Sequence, residues 1–141
     1  MMEEEKQEEV RQKYMELQVL GQQIAQLQKQ MQMLESQFID LALMDQALDD
    51  IKNVKEGAKI FVPVGLGIFA KAELKDNKEL LVNVGANVAV KKDIPSASRL
   101  IKKQLEEIRN VQEETMVELQ RLSLHANSLE EEINSRVSES Q

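Results

Sequence analysis

Four of the five glycines and both prolines of this chain fall between residues 54 and 95. The flanking stretches hold a single glycine, Gly21, and no proline. Glycine and proline are the residues that punctuate regular structure most strongly. A layout with all the punctuation in one central insert leaves two long helices as the main possibility for the rest.

The first flank carries an unbroken heptad pattern. With position a at Val10, the later a positions are Leu17, Ile24, Met31, Phe38 and Asp45, and the d positions are Leu20, Leu27, Leu34, Leu41 and Leu48. Only Asp45 among these is polar, and apolar a/d heptads sustained this long indicate a coiled coil. The residues between them are rich in Gln, Lys and Glu, which suit a solvated helix face. A rod from about Glu3 to Lys55 would run roughly 70–75 Å at 1.5 Å per residue. Acidic residues crowd its start, where they complement the helix dipole. Gly21 is read as a neutral surface position, at a cost of about 1 kcal/mol relative to alanine.

The second flank opens with Asp93-Ile94-Pro95-Ser96, in which Asp93 or Ser96 can cap a helix and proline is tolerated in the first turn. Its seam runs Ile101, Leu105, Ile108, Gln112, Thr115, Leu119, Leu122, Ala126, Leu129, Ile133 and Arg136, alternating steps of four and three. Folding the chain back at the insert lets the two seams meet layer by layer if partner numbers add to about 150. Leu48 then faces Ile101, Leu34 faces Thr115, Leu27 faces Leu122 and Leu20 faces Leu129. An antiparallel intramolecular coil satisfies both seams at once.

The insert reads as two β-hairpins. Lys59–Val64 alternates Ile60, Val62 and Val64 against Phe61 and Pro63, Gly65-Leu66-Gly67 turns the chain, and Ile68–Leu74 returns. Lys75-Asp76-Asn77-Lys78 is a polar turn. Leu80–Val84, a second turn at Gly85-Ala86-Asn87 and Val88–Lys92 complete the pair. Two hairpins of this size are barely stable alone, and their open edges attract other strands. The insert is therefore expected to pair with inserts of neighbouring chains. The residues expected to carry that contact are Ile60, Val62, Val64, Ile68 and Phe69 in the first hairpin, and Leu81, Val82, Val84, Val88 and Val90 in the second. The expected class is α+β, mostly α, a long antiparallel two-helix coiled coil whose hairpins oligomerise into a β-barrel. The segments are residues 1–56, 57–92 and 93–141.

Charge and composition exclude several functions. A net charge of −7 opposes a phosphate-tracking surface, because nucleic-acid affinity depends on Lys and Arg. It also opposes an anionic membrane. With no cysteine there is no disulfide, thiol chemistry or cysteine-based zinc site. That fits a reducing, cytoplasmic setting. MMEEEKQEEV lacks the apolar run of a signal peptide, and no window is long enough to span a bilayer. Gly65-Leu66-Gly67 has no third glycine and no Lys-Ser/Thr after it, so it is no phosphate loop. His125 has no second imidazole or nucleophile pattern beside it, and Glu130–Glu132 point in different directions around a helix. An enzyme is not expected, nor any cofactor or metal. Lys91-Lys92 and Lys102-Lys103 read as ion-pair donors between chains.

The helix, two hairpins and helix together resemble the α-type subunit of prefoldin, a co-chaperone. The match is carried by Phe61-Val62-Pro63-Val64-Gly65 with Gly67, Phe69, Lys71 and Ala72, and by Leu81-Val82-Asn83-Val84-Gly85-Ala86-Asn87-Val88-Ala89-Val90. The resemblance implies an α2β4 hexamer with four β-type subunits, its hairpins forming a double β-barrel from which six coiled coils hang. It implies capture of unfolded polypeptide without ATP and delivery to a group II chaperonin. The contact would lie at the coil end that carries the termini, where Val10, Tyr14, Leu17, Leu129, Ile133 and Val137 are the expected client-binding residues. Fraying of the last turns there would expose apolar side chains on a charged background. The alternative from a different class is an architectural coiled-coil scaffold, for which the insert merely joins two rods.

Overall fold

The computed structural model describes residues 2–139; residues 1, 140 and 141, which fall in the expected segments 1–56 and 93–141, lie outside the described residues. The order is α1 (Met2–Lys52), β1 (Lys59–Gly65), β2 (Ile68–Glu73), β3 (Leu80–Gly85), β4 (Val88–Lys92) and α2 (Ile94–Glu139). This is the expected coiled-coil and hairpin arrangement. The chain divides into two compact units, one from the start of α1 to Gln37 with Ile108 to the end of α2, the other from Phe38 to Glu107.

The first unit is a two-helix coil. Leu20, Leu122 and Leu129 form its buried cluster, with Leu17, Ile24, Leu27 and Ala126 packed around them. These are the a and d residues of both seams, and partner numbers on α2 fall as those on α1 rise, so the helices are antiparallel. Thr115, a polar position of the second seam, is also buried. Among the described residues no buried side-chain polar atom lacks a hydrogen-bond partner. Gly21 has open space where a Cβ would sit, which agrees with its reading as a surface position.

The second unit holds both hairpins and the adjoining helix ends. β1 pairs with β2 and β3 with β4, each as a separate antiparallel two-stranded sheet. The two hairpins repeat one another at an offset of twenty residues. Pro63 pairs with Phe69 and Gly65 with Ile68, while Asn83 pairs with Ala89 and Gly85 with Val88. In each, the valine before the glycine (Val64, Val84) is an extra residue that bulges from the ladder. Each turn then passes through two residues of positive φ, Leu66 and Gly67 in one and Ala86 and Asn87 in the other. Two-residue hairpin loops demand this conformation because its twist matches that of the strands. A residue with a Cβ adopts it at a cost of roughly 1–2 kcal/mol.

The ends of both helices are closed by side chains. At the start of α2, Asp93 Oδ1 accepts the Ser96 amide at 2.9 Å, and the Asp93 carbonyl accepts the Ala97 amide at 3.0 Å. Hydrogen bonding from Ser96, through side chain and backbone, holds the Asp93 carboxyl below its ordinary value. Ile94, Ala97 and Ile101 are buried behind this cap. At the end of α1, the Asn77 side-chain amide reaches back from the inter-hairpin turn. It donates to the carbonyls of Ile51 and Lys52, acceptors that the helix end leaves over, and to that of Val54 just beyond, at 3.3, 3.0 and 3.1 Å, sharing its two protons among the three. Asp76 holds the turn itself by accepting the amides of Lys78 and Glu79. Asp45, the one polar a position, accepts the Ser98 hydroxyl at 3.3 Å.

Two stability measurements follow from this packing. In urea unfolding, Leu122→Ala should cost about 2–5 kcal/mol, the range for deleting a buried leucine; a loss within error of zero would show that the seam is not the source of stability. Asn77→Ala should cost about 1–2 kcal/mol through lost hydrogen bonds, while Asn77→Asp, which cannot donate, should be no better than alanine.

Candidate functional site

Two surfaces hold apolar side chains that the chain itself does not cover. The first is the end of the two-helix unit that carries the termini. Leu129 and Ile133 are buried in its seam, at 5% and 2% exposure. Val10 and Leu17 are half-buried. Tyr14 is 54% exposed and Val137 also faces outward. The six expected client residues are thus divided between the seam and the surface. Met15 and Val19 add exposed apolar surface on the same helix, and they are four residues apart, so they share a face. Val19 lies off the seam, and heptad reading gives no reason to single it out.

Charged pairs bridge the helices beside this end. Glu9 meets Arg136, Lys13 Nζ lies 2.8 Å from Glu132, and His125 Nε2 lies 3.3 Å from Glu16. The last contact gives the single histidine a structural neighbour. Opposite charges at facing positions would have been visible once the register was fixed, but a charge run alone does not reveal them. These partly exposed pairs add little stability, since such pairs are worth about 0–1 kcal/mol.

The second surface is formed by the hairpins. Residues directly opposite in a ladder share a face, so the registers sort the side chains. Phe61, Pro63 and Phe69 lie on one face of the first hairpin, with Ile60 and Val62 on the other. Phe61 and Phe69 are 67% and 58% exposed. Of the expected contact residues, Ile60 and Val82 are half-buried, and Val62, Val64, Ile68, Phe69, Leu81, Val84, Val88 and Val90 are exposed. Phe61 and Leu66 are exposed large apolar residues beyond that set. This grouping of uncovered apolar side chains makes the hairpins a candidate interaction surface, to which the open strand edges add unpaired backbone groups. Lys91 Nζ lies 3.6 Å from Glu79 of the same chain, both side chains being exposed.

Among the described residues no group of three or more His, Asp or Glu is placed to hold a metal ion. Nor, among the described residues, is any helix long and apolar enough to cross a membrane.

Two long helices with two antiparallel β-hairpins between them define the class of coiled-coil and β-hairpin proteins. The family model described as prefoldin subunit matches residues 20–139. The prefoldin subunit alpha of Methanobrevibacter smithii is 32% identical over 108 residues, covering 77% of this chain and 73% of that protein. The prefoldin subunit alpha of Methanococcus vannielii is 28% identical over 131 residues, covering 92% and 86%. In the cryo-EM structure of filamentous PFD from Methanocaldococcus jannaschii, a chain superposes with a TM-score of 0.73 at 18% identity, covering 80% of this chain and 93% of that one. The chain belongs to the prefoldin family, whose members are co-chaperone subunits, and within it to the α type.

The split between seam and surface can be measured. Ile133→Ala should lower stability by about 2–4 kcal/mol and Lys13→Ala by less than about 1 kcal/mol, both by urea unfolding followed by circular dichroism. Equal losses would contradict the division drawn here.

Proposed function

We propose that this chain is a subunit of an ATP-independent holdase. Its hairpins join those of β-type subunits in an α2β4 complex, closing their edges into β-barrels. The coil ends that carry the termini take hold of unfolded polypeptide and hand it to a group II chaperonin in the cytoplasm. The observation that carries this reading is the outward-facing apolar set of Tyr14, Met15, Val19 and Val137 in a co-chaperone family. Such contacts are individually weak and tolerant of sequence. Several coil ends acting on one client reach useful avidity by raising effective concentration, with no single tight site. Release then needs no nucleotide, because each contact opens by itself.

A second reading has an observation of its own. The similar solved chain comes from a filamentous PFD, which favours an architectural, filament-forming role through the same hairpins. Electron microscopy of the chain without a partner separates the two, since filaments support the second reading and compact particles the first.

The holdase reading is tested by light scattering during refolding of an aggregation-prone protein. Equimolar complex should suppress the signal. A complex carrying Tyr14→Ser, Met15→Ser and Val19→Ser should need several-fold more protein for the same effect, with an unchanged helix melt. Undiminished aggregation with the unaltered complex would refute the proposal.

A further inference from the structure

The exposed apolar residues Tyr14, Met15 and Val19 stand in surroundings of one electrostatic sign. Residues 2–20 and 126–138, the two helix segments at the coil end, hold nine glutamates against four cations, Lys6, Arg11, Lys13 and Arg136. Their net side-chain charge is −5, out of −7 for the chain, in less than a quarter of its length. All nine glutamates are exposed. Two of the four cations are already engaged, Arg136 with Glu9 and Lys13 with Glu132. Lys6 and Arg11 remain against seven further glutamates.

Neither solvation nor helix stability accounts for this excess. Between residues 17 and 34 of α1 the only charged residue is Lys29, and exposed glutamines solvate the helix there. The helix dipole favours Glu3, Glu4 and Glu5 in the first turn of α1. It gives no support to Glu130, Glu131 and Glu132, which stand toward the C-terminal end of α2, where cations are the favoured charges. Like charges gathered at one end repel one another, so the excess burdens the free chain. A ligand of opposite sign relieves it.

The charge lies where the apolar set lies. Glu8 is seven residues before Met15, about two helical turns, and so on the same face of α1. Tyr14 is 54% exposed, and the face of an exposed phenol ring attracts Lys and Arg. We infer that this coil end binds cationic client segments, in which Lys or Arg stand beside apolar side chains, in preference to neutral or acidic ones. This deepens the client-binding reading above and rests on it. The apolar residues of the segment lie on Tyr14, Met15 and Val19, and its cations lie among the carboxylates and over the Tyr14 ring. Such a contact offsets the excess charge of both molecules and raises the rate of encounter. Acidic segments are turned away by repulsion. Unfolded chains of basic proteins are the class of client that fits.

The chain has one tyrosine and no tryptophan, so its tyrosine emission reports Tyr14 alone. Peptides free of aromatic residues, sharing the same leucines and valines but flanked by Arg, Gln or Glu, are titrated into the full chain. At low salt the Arg peptide should bind about tenfold more tightly than the Gln peptide, with the Glu peptide weakest. The gap should close at about 1 M salt, where charges are screened beyond about 3 Å. Glu8→Lys, Glu130→Lys and Glu131→Lys together should reverse the order at unchanged helix content. Equal binding of all the peptides, or an order that the triple variant keeps, would overturn the inference and leave the holdase reading standing. An Arg peptide with serine in place of its leucines and valines should bind no better than the Gln peptide. Affinity equal to that of its apolar parent would reduce the contact to counter-ion attraction and overturn the inference too. Failure of the unaltered complex to suppress aggregation would instead remove the client reading itself.

Discussion

A two-stranded β-ribbon has two faces and two edges, and a short one can cover few of them from its own sequence. Both hairpins of this protein are in that condition. Their ladders satisfy one edge of each strand, and the helix ends cover part of the second hairpin through Leu80 and Val82. Phe61, Val64, Ile68, Phe69 and Leu81 remain in water. Withdrawing such side chains from water is favourable by about 25 cal/mol for each Å², whereas a lone two-stranded ribbon is marginal in water. In the proposed complex, association completes the fold of this segment, and the same surface that makes the isolated hairpins precarious favours the assembled state.

The helices solve a different problem. Each is too polar and too narrow to fold as a globule, yet each has one apolar stripe. Packing those stripes together buries Leu20, Leu122, Leu129 and Ile133 and leaves the charged faces solvated. At Asp45, the polar position of the first seam, a partner is supplied, as the Ser98 hydroxyl donates to it. The bridging pairs Glu9–Arg136 and Lys13–Glu132 flank this packing and contribute little energy of their own.

Much of this was legible in the sequence because heptads and hairpin turns are local and repetitive. The seam positions follow from spacing alone, and Gly65 and Gly85 mark turns that demand positive φ. The helix caps were half legible. Asp93 precedes its helix directly, whereas Asn77 acts on carbonyls more than twenty residues upstream, a relation that no local pattern encodes. The site was harder still. Leu129 and Ile133 share the hydrophobic character expected at the coil end, but composition does not distinguish a residue that closes the seam from one that faces outward. Val19 and Leu66 were missed for the converse reason, being apolar residues at positions where periodicity expects none.

That distinction bears on how a weak, adaptable binding surface can coexist with a stable coil. A client that used Leu129 or Ile133 would first have to open the seam, and its apparent affinity would fall by the fraction of chains in the open state. Side chains already outside the seam carry no such penalty. Tyr14, Met15 and Val19 offer apolar surface while the helices stay paired, so the coil can be stabilised without weakening the contact. Val10 and Leu17 lie between these extremes and would become available with the first turns to fray. In the proposed role, the depth to which a client engages is then graded by how much of the coil it opens, and its release is driven by the seam closing again.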